Sequence, residues 1–426
     1  MVAETRSLSS SPDASHALAA AFVAIAAFVG TWALLHVGFY KDHRILDTPI
    51  YQSYGNAIAH GRVPYRDFTL EYPPGALPTF ALPGLAEPGH GQDVTPGFRH
   101  SFETLMWLCG AAALAAMAIA LVAVRARALR TWSALVFAAL APLALGSVIL
   151  SRYDLWPTAL LVASLAAFVA GWLLSGSALL ALAISAKLYP AVLVPLVLTH
   201  AWKRRGRRAA VACAAVIAAI VVIVFVPFVA LSPGGVWHSL SGQLTRPLQI
   251  ESLGAALLVA AHHAWGFGVT QETSHGSQNL AGYAPHVMAT VSTVVQAVAL
   301  FVVWVAYART RATRDGLLRA SAAALVVFVA LGKVLSPQFL IWLIPVVPLV
   351  RGRRGLVACG GLALALVLTQ LWFPFRYWHY VDDFAAFPSW TVLARDLVLV
   401  ALAALLVLPG RDERRDAHTL VPDVAR

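Results

Sequence analysis

Acidic, basic and phenolic side chains crowd a few short stretches of this 426-residue chain. From Leu46 it reads LDTPIYQSYGNAIAHGRVPYRDFTLEYPPG, which puts Asp47, Tyr51, Tyr65, Asp67, Glu71 and Tyr72 within 30 residues stiffened by Pro64, Pro73 and Pro74. A carboxylate so placed can take the proton of an attacking hydroxyl. Asp47 can equally be the N-cap of a helix. Ile50, Tyr51, Tyr54, Ala57 and Ile58 are spaced as one apolar face, and Gly61 would close that helix with a left-handed turn. An amphipathic helix lying at a membrane interface would use the same residues. From residue chemistry, capping and catalysis both stay open for Asp47.

Three further stretches carry charge in apolar surroundings. Arg152 and Asp154, two apart, suit a structural ion pair or the binding of a charged ligand. Lys187 and Lys333 each precede a proline, Pro190 and Pro337. A lysine inserted at membrane depth costs about 2.5–3.5 kcal/mol. Each therefore needs a phosphate, a buried carboxylate, or an interface reached by snorkelling. Glu71 and Tyr72 suit an acceptor site or packing on the prolines. His262 and His263 are adjacent rather than at ligand spacing, and Asp382 and Asp383 read as a loop cap, so neither a metal site nor a cofactor is expected.

The scaffold that must position these groups is read from composition. Hydrophobic residues make 59% of the chain and charged residues 12%, half the share usual in a soluble domain, with a mean hydropathy of +0.73. Apolar runs of about 20 residues match a bilayer core of about 30 Å. They place full spans at 17–40, 101–124, 131–150, 155–174, 209–231, 286–308, 355–374 and 391–409. The first is too long for a signal-peptide core and reads as a retained span. Cys109, Cys213 and Cys359 fall inside apolar runs and imply no disulfide.

The basic residues behind the net charge of +11 cluster in short loops: Arg125 to Arg130, Lys203 to Arg208, Arg309 to Arg319, Arg351 to Arg354 and Arg411 to Arg415. That alternation is the positive-inside pattern. It predicts basic loops and both termini in the cytoplasm and argues against a nucleic-acid partner. Two apolar segments, 178–200 and 320–350, lie between basic flanks. Each must leave and return on one side as a hairpin of short helices, and such a turn requires protein or water around it. The expected fold is an all-α transmembrane bundle of eight spans plus two hairpins, about 12 helices, in one domain over residues 1–426. A further apolar stretch at 253–265 is a candidate re-entrant segment. Loops at 40–100, 232–252, 264–285 and 376–390 face outward, and the first, with eight prolines, is the candidate catalytic loop.

An Asp after the first span, a Tyr four later, then G-x-x-P-Y-x-D-F and E-Y-P-P-G, resembles the polytopic class C glycosyltransferases. Within them it is similar to family 87, the polyprenyl-phosphate-mannose-dependent mannosyltransferases of actinobacteria. SRYD at Ser151–Asp154, AKLYP at Ala186–Pro190 and GKVLSPQFLIW at Gly332–Trp342 follow in the family's order. The resemblance implies a multi-pass enzyme of the bacterial plasma membrane with Asp47 as general base. It implies inverting transfer of a sugar, mannose first, from a polyprenyl-phosphate donor to a lipid or glycan acceptor outside the cytoplasm. With it, Lys187, Tyr189, Arg152, Lys333 and Gln338 become candidates for the donor phosphate, and Tyr51, Asp67, Glu71, Tyr72 and Asp154 for the acceptor or loop site. Some members place a histidine pair after the late Ser-Pro; here Ser336-Pro337 leads to Gln338, Phe339, Leu340, Ile341 and Trp342, which leaves donor sugar and acceptor open. The competing class is a secondary transporter or lipid-linked sugar flippase, because proline-broken hairpins with buried charge also build transporter sites.

Overall fold

Inside lipid, every backbone N–H and C=O must find its partner within its own segment, so the uninterrupted apolar runs become helices. The computed structural model describes residues 12–41, 45–86 and 94–408. Helix α1 (Pro12–Leu34) leads to two short helices, α2 (Thr48–Ala59) and α3 (Pro78–Ala86), then to α4 (Pro96–Ala123) and α5 (Ala128–Leu145). A shorter group follows: α6 (Leu155–Ala170), α7 (Leu173–Ala186) and α8 (Val194–Arg205). Next come α9 (Arg207–Leu231), α10 (Pro233–Leu244), α11 (Leu253–Trp265), α12 (Tyr283–Arg309) and α13 (Arg314–Leu331). The chain ends with one-turn α14 (Leu340–Leu343), then α15 (Gly352–Trp372), α16 (Tyr377–Asp383) and α17 (Ala386–Val407). Arg411, Arg414 and Arg415, the last basic cluster, lie outside the described residues.

Among the described residues, seven helices are long and apolar enough to cross a membrane: α1, α4, α5, α9, α12, α15 and α17. The eighth expected span, α6, has 16 residues, or about 24 Å, and is preceded by the 3-10 turn Ser147–Ser151. The protein is a multi-pass, all-α membrane bundle. The seventeen α-helices among the described residues exceed the expected twelve because the outward loops carry short helices of their own. Prolines open α2, α4 and α10, where the missing N–H costs nothing. Among the described residues the exception to all-α is a hairpin of β1 (Thr270–Ser274) and β2 (Ser277–Ala281). Its two-residue turn, His275-Gly276, has φ of 53° and 64°, the double positive that a tight hairpin needs.

Both hairpins are present. Gly171 closes α6 in a left-handed turn and α7 runs back along it. Lys187 then breaks α7 with an extended backbone, and a 3-10 turn, Tyr189–Leu193, starts the return through α8. Trp172 and Arg205, the two flanks, line one cavity and so stand at the same end. In the second hairpin, Arg130 of α5 reaches both flanks, Asp315 at 3.0 Å and the Leu349 carbonyl at 2.6 Å. The basic loops gather at this end: Arg314 donates to the Ala123 carbonyl and Lys203 to that of Thr310. Both tips reach the opposite end, since the 18 residues of α13 make about 27 Å.

Helices α4, α6 and α7 pack in series and α13 packs on α17, the two groups meeting where α13 touches α6, while α9 and α12 lie outside. Only 11% of the apolar window of α9 is buried by protein and 17% of that of α12, which leaves Val222, Ile223, Val298 and Phe301 facing outward. In a bilayer that is the lipid face.

Candidate active site

Asp47 occupies the first position before α2, as spacing predicts, and Gly61 closes the segment at φ +76°. Its side chain nevertheless makes no capping bond. The backbone at Asp47 is helical (φ −94°, ψ −7°) rather than extended, which turns the carboxylate away from the N–H groups it would cap. Asp47 Oδ2 instead faces Arg152 Nη1 as an ion pair and accepts from Tyr51 Oη at 3.4 Å. The expected apolar face is buried at Tyr51, Tyr54 and Ala57, whereas Ile50 is exposed. Tyr51 stacks on Phe80 of α3, 4.9 Å between centroids, and meets Tyr153 edge-on at 5.8 Å, which holds α2 over the start of α6.

Asp154 is fully buried two residues after Arg152. Lys187 Nζ donates to its Oδ1 at 2.6 Å and Trp342 Nε1 to the same oxygen at 2.5 Å, while Oδ2 has no hydrogen-bond partner among the described residues. Each hairpin tip thus delivers one donor to a single carboxylate. Tyr189, from the first tip, stacks flat on Trp342 of the second, 3.8 Å between centroids and 3° from parallel. The Lys187 ammonium lies over the rings of Tyr153 and Trp342, at 4.7 and 5.3 Å, where the ring faces attract a cation. Carboxylate and rings together offset the cost of burying this lysine.

The E-Y-P-P-G stretch is wedged into the same end. A Cβ on Gly75 would lie 2.5 Å from the Ser185 carbonyl carbon, so only glycine fits against the end of α7. The Gly75 carbonyl accepts from Trp156 Nε1 at 3.0 Å, and Tyr72 meets Tyr153 edge-on at 4.9 Å. Glu71 is exposed and its carboxylate looks toward the β-hairpin turn, 3.3 Å from where a Gly276 Cβ would stand.

Asp67 and Lys333 have local partners. Asp67 accepts from Arg66 at 2.8 and 3.0 Å and from the Val63 N–H at 2.7 Å, closing a surface turn. The Arg66 hydrogen bonds, then that N–H, hold its carboxyl down at about 2. Lys333 Nζ donates to the Leu244 carbonyl at 2.8 Å, and its own carbonyl accepts from the Gln249 N–H at 3.0 Å. Gln338 Oε1, in the same tip, is buried with no partner among the described residues.

Sequence reasoning missed four charged residues. Arg246 lies within electrostatic reach of Lys187 and Lys333, and its Nε is buried without a partner among the described residues. Glu251 is 2% exposed, accepts from Gln249 Nε2 at 2.6 Å, and is pushed up to about 8, burial outweighing the nearby Arg395 and Arg152. Arg395 and Asp396, both fully buried in α17, stand 2.6 Å apart, and Arg395 Nη2 holds the Glu251 carbonyl at 2.8 Å. Paired charges inside the run at 391–409 were the available signal, because ionisable groups at membrane depth are costly. Among the described residues no three His, Cys, Asp or Glu side chains are grouped to hold a metal ion.

The family model for glycosyltransferase family 87 matches residues 68–337, more than half of the chain. The chain belongs to that family. It is therefore a membrane glycosyltransferase, with a sugar donor and an acceptor, and family membership decides against the transporter or flippase reading. The matched stretch holds Glu71, Tyr72, Arg152, Asp154, Lys187, Tyr189 and Lys333. Asp47, Tyr51 and Asp67 precede it and Gln338 follows it. Comparison with curated proteins returns no match. In this glycosyltransferase, Arg152, Lys187, Arg246 and Lys333 converge on the hairpin-tip end. Arg152 and Lys187 are paired with Asp47 and Asp154, while Arg246 and Lys333 have no carboxylate at ion-pair distance among the described residues.

Proposed function

We propose that this glycosyltransferase moves a hexose, mannose first, from a polyprenyl phosphate to a lipid or glycan acceptor with inversion at the anomeric carbon. The observation that carries the reading is the convergence of four cations on the hairpin tips, two of them without a carboxylate at ion-pair distance among the described residues, because a departing lipid phosphate needs positive charge where its own charge develops. Asp47 is the base: the acceptor oxygen bonds to the anomeric carbon, the bond to the phosphate oxygen breaks, and the acceptor's proton passes to Asp47. Arg152 passes from Asp47 to the phosphate as the donor binds, which frees the carboxylate for that proton. Lys187, Lys333 and Gln338 hold the phosphate, and Tyr189 fixes the tip that carries Lys187. Tyr51, Glu71, Tyr72 and Asp154 frame the acceptor side, with the catalytic loop at 40–100 as part of one membrane domain. Asp67, tied into its surface turn, has the least to contribute.

The basic loops mark the cytoplasmic end by the positive-inside rule, so the site lies at the extracytoplasmic end of the bacterial plasma membrane and both termini lie inside. Nucleotide sugars are cytoplasmic and would not reach it. The test is incubation of purified protein with radiolabelled polyprenyl-phosphate mannose or with the nucleotide sugar alone, scored for a new glycolipid. Transfer from the lipid-linked donor alone supports the reading; efficient transfer from the nucleotide sugar without lipid defeats it.

A further inference from the structure

At the basic end of the bundle, a cavity of about 540 Å³ opens between α6, α7, α8 and α13. That volume is in the range of small-molecule sites. Its walls include Phe168, Trp172, His200, Arg204, Arg205 and Arg314, and no carboxylate. It lies at the far end of α6 from Asp154, about 24 Å away along the 16-residue helix, so the transfer site does not account for it.

The charge here is unlike that of the neighbouring basic loops. Arg130 and Arg351 share Asp315, at 3.0 and 3.6 Å. Arg204 and Arg205 make no hydrogen bond or ion pair among the described residues. The wall behind them is fixed. His200 is 2% exposed with its Nδ1 2.8 Å from Tyr307 Oη, and Arg314 Nη1 donates to the Ala123 carbonyl at 2.6 Å. The carbonyl ends of α6 and α8 oppose an anion here, each worth roughly −0.5 charge. Three guanidinium groups outweigh them. Trp172 and Trp202 flank this end at 53% and 61% exposure, the position of interfacial tryptophans, and Leu174 and Val211 lead from it as exposed apolar surface into the bilayer.

We propose that this cavity binds the phosphate head group of an anionic phospholipid, with the acyl chains lying along the exposed faces of α7 and α9. Guanidinium groups suit phosphate oxygens, and basic pockets between membrane helices take such head groups. The apolar track away from the arginines favours a lipid over a free anion.

Native mass spectrometry of the full chain in mild detergent tests this with phosphatidylglycerol, phosphatidylcholine of the same acyl chains, and inorganic phosphate as competitor. The protein should retain one phosphatidylglycerol under washing that strips phosphatidylcholine. Arg204→Gln with Arg205→Gln should weaken that retention by roughly thirtyfold. The same charge change at Arg309 and Arg311, outside the cavity, should leave it unaltered. Because Arg204 and Arg205 hold nothing in the fold, lipid-free unfolding temperatures should match. Equal retention of both lipids, or equal loss in both variant pairs, overturns the site. Displacement of the lipid by inorganic phosphate at matching concentration overturns its assignment to a lipid and makes it a free-anion site.

Discussion

At the scale of the residue, Asp47 carries the sharpest test. Its carboxylate faces Arg152 and makes no capping bond, so Asp47→Asn removes a charge and a proton acceptor without removing a cap. Turnover should fall by roughly 10²–10⁴, the usual worth of a general base, with donor binding retained. Near-normal turnover would move the base elsewhere, Glu71 being next. Lys187 needs two variants. Lys187→Met leaves Asp154 charged and unpaired in a buried position, a destabilisation of about 3–5 kcal/mol. Adding Asp154→Asn should restore most of the unfolding temperature but not turnover, if the ammonium contacts the donor phosphate. Recovery of both would leave the lysine a purely structural partner. Glu251 offers a pH signature. Its folded value of about 8 exceeds the unfolded value of about 4.3, so folding favours the protonated acid. That stabilisation is complete below about pH 4 and is lost as pH rises through about 8. Thermal unfolding in detergent should decline from pH 7 to 9, and Glu251→Gln should flatten the decline; an unchanged slope counts against a buried acid there.

At the scale of the element, the site is a meeting of tips. Helices α7 and α13 come 14 and 18 residues up from the basic end and break beside a lysine, and the turns that follow them touch through Tyr189 and Trp342. The proline-rich loop joins them through Gly75, pressed against the end of α7. Gly75→Ala should force that turn outward at a cost of about 1–3 kcal/mol. Because it carries Tyr72 and Glu71, turnover should drop by more than the loss of folded protein explains. Equal losses, measured as activity per folded molecule, would show that the wedge serves stability alone. The existence of both hairpins was legible from apolar runs caught between basic flanks. Their meeting was not, because nothing in the pattern of either segment specifies its neighbour.

At the scale of the whole molecule, charge asymmetry organises everything. Described basic loops from four parts of the chain gather at one end, and the hairpin tips and Asp47 at the other. In a background lacking Cys109, Cys213 and Cys359, single cysteines at 205 and 352 should resist a membrane-impermeant thiol reagent in intact cells, while one at 276 should react. Labelling at 205 from outside would invert the orientation and put the site in reach of nucleotide sugars.

By itself the sequence determined the solvent, the number of long helices to within one, the two returns and the helix that opens at Thr48. These follow from local regularities, namely runs of apolar residues, periodicity, prolines and the placement of lysine and arginine. Tertiary structure alone decided which charges meet across the chain: Asp47 with Arg152, Asp154 with Lys187 and Trp342, and Arg395 with the Glu251 carbonyl. The physical reason is that a buried charge must be answered by whatever group packing brings within a few ångströms. Asp154 and Trp342 lie 188 residues apart, and no spacing rule spans that distance.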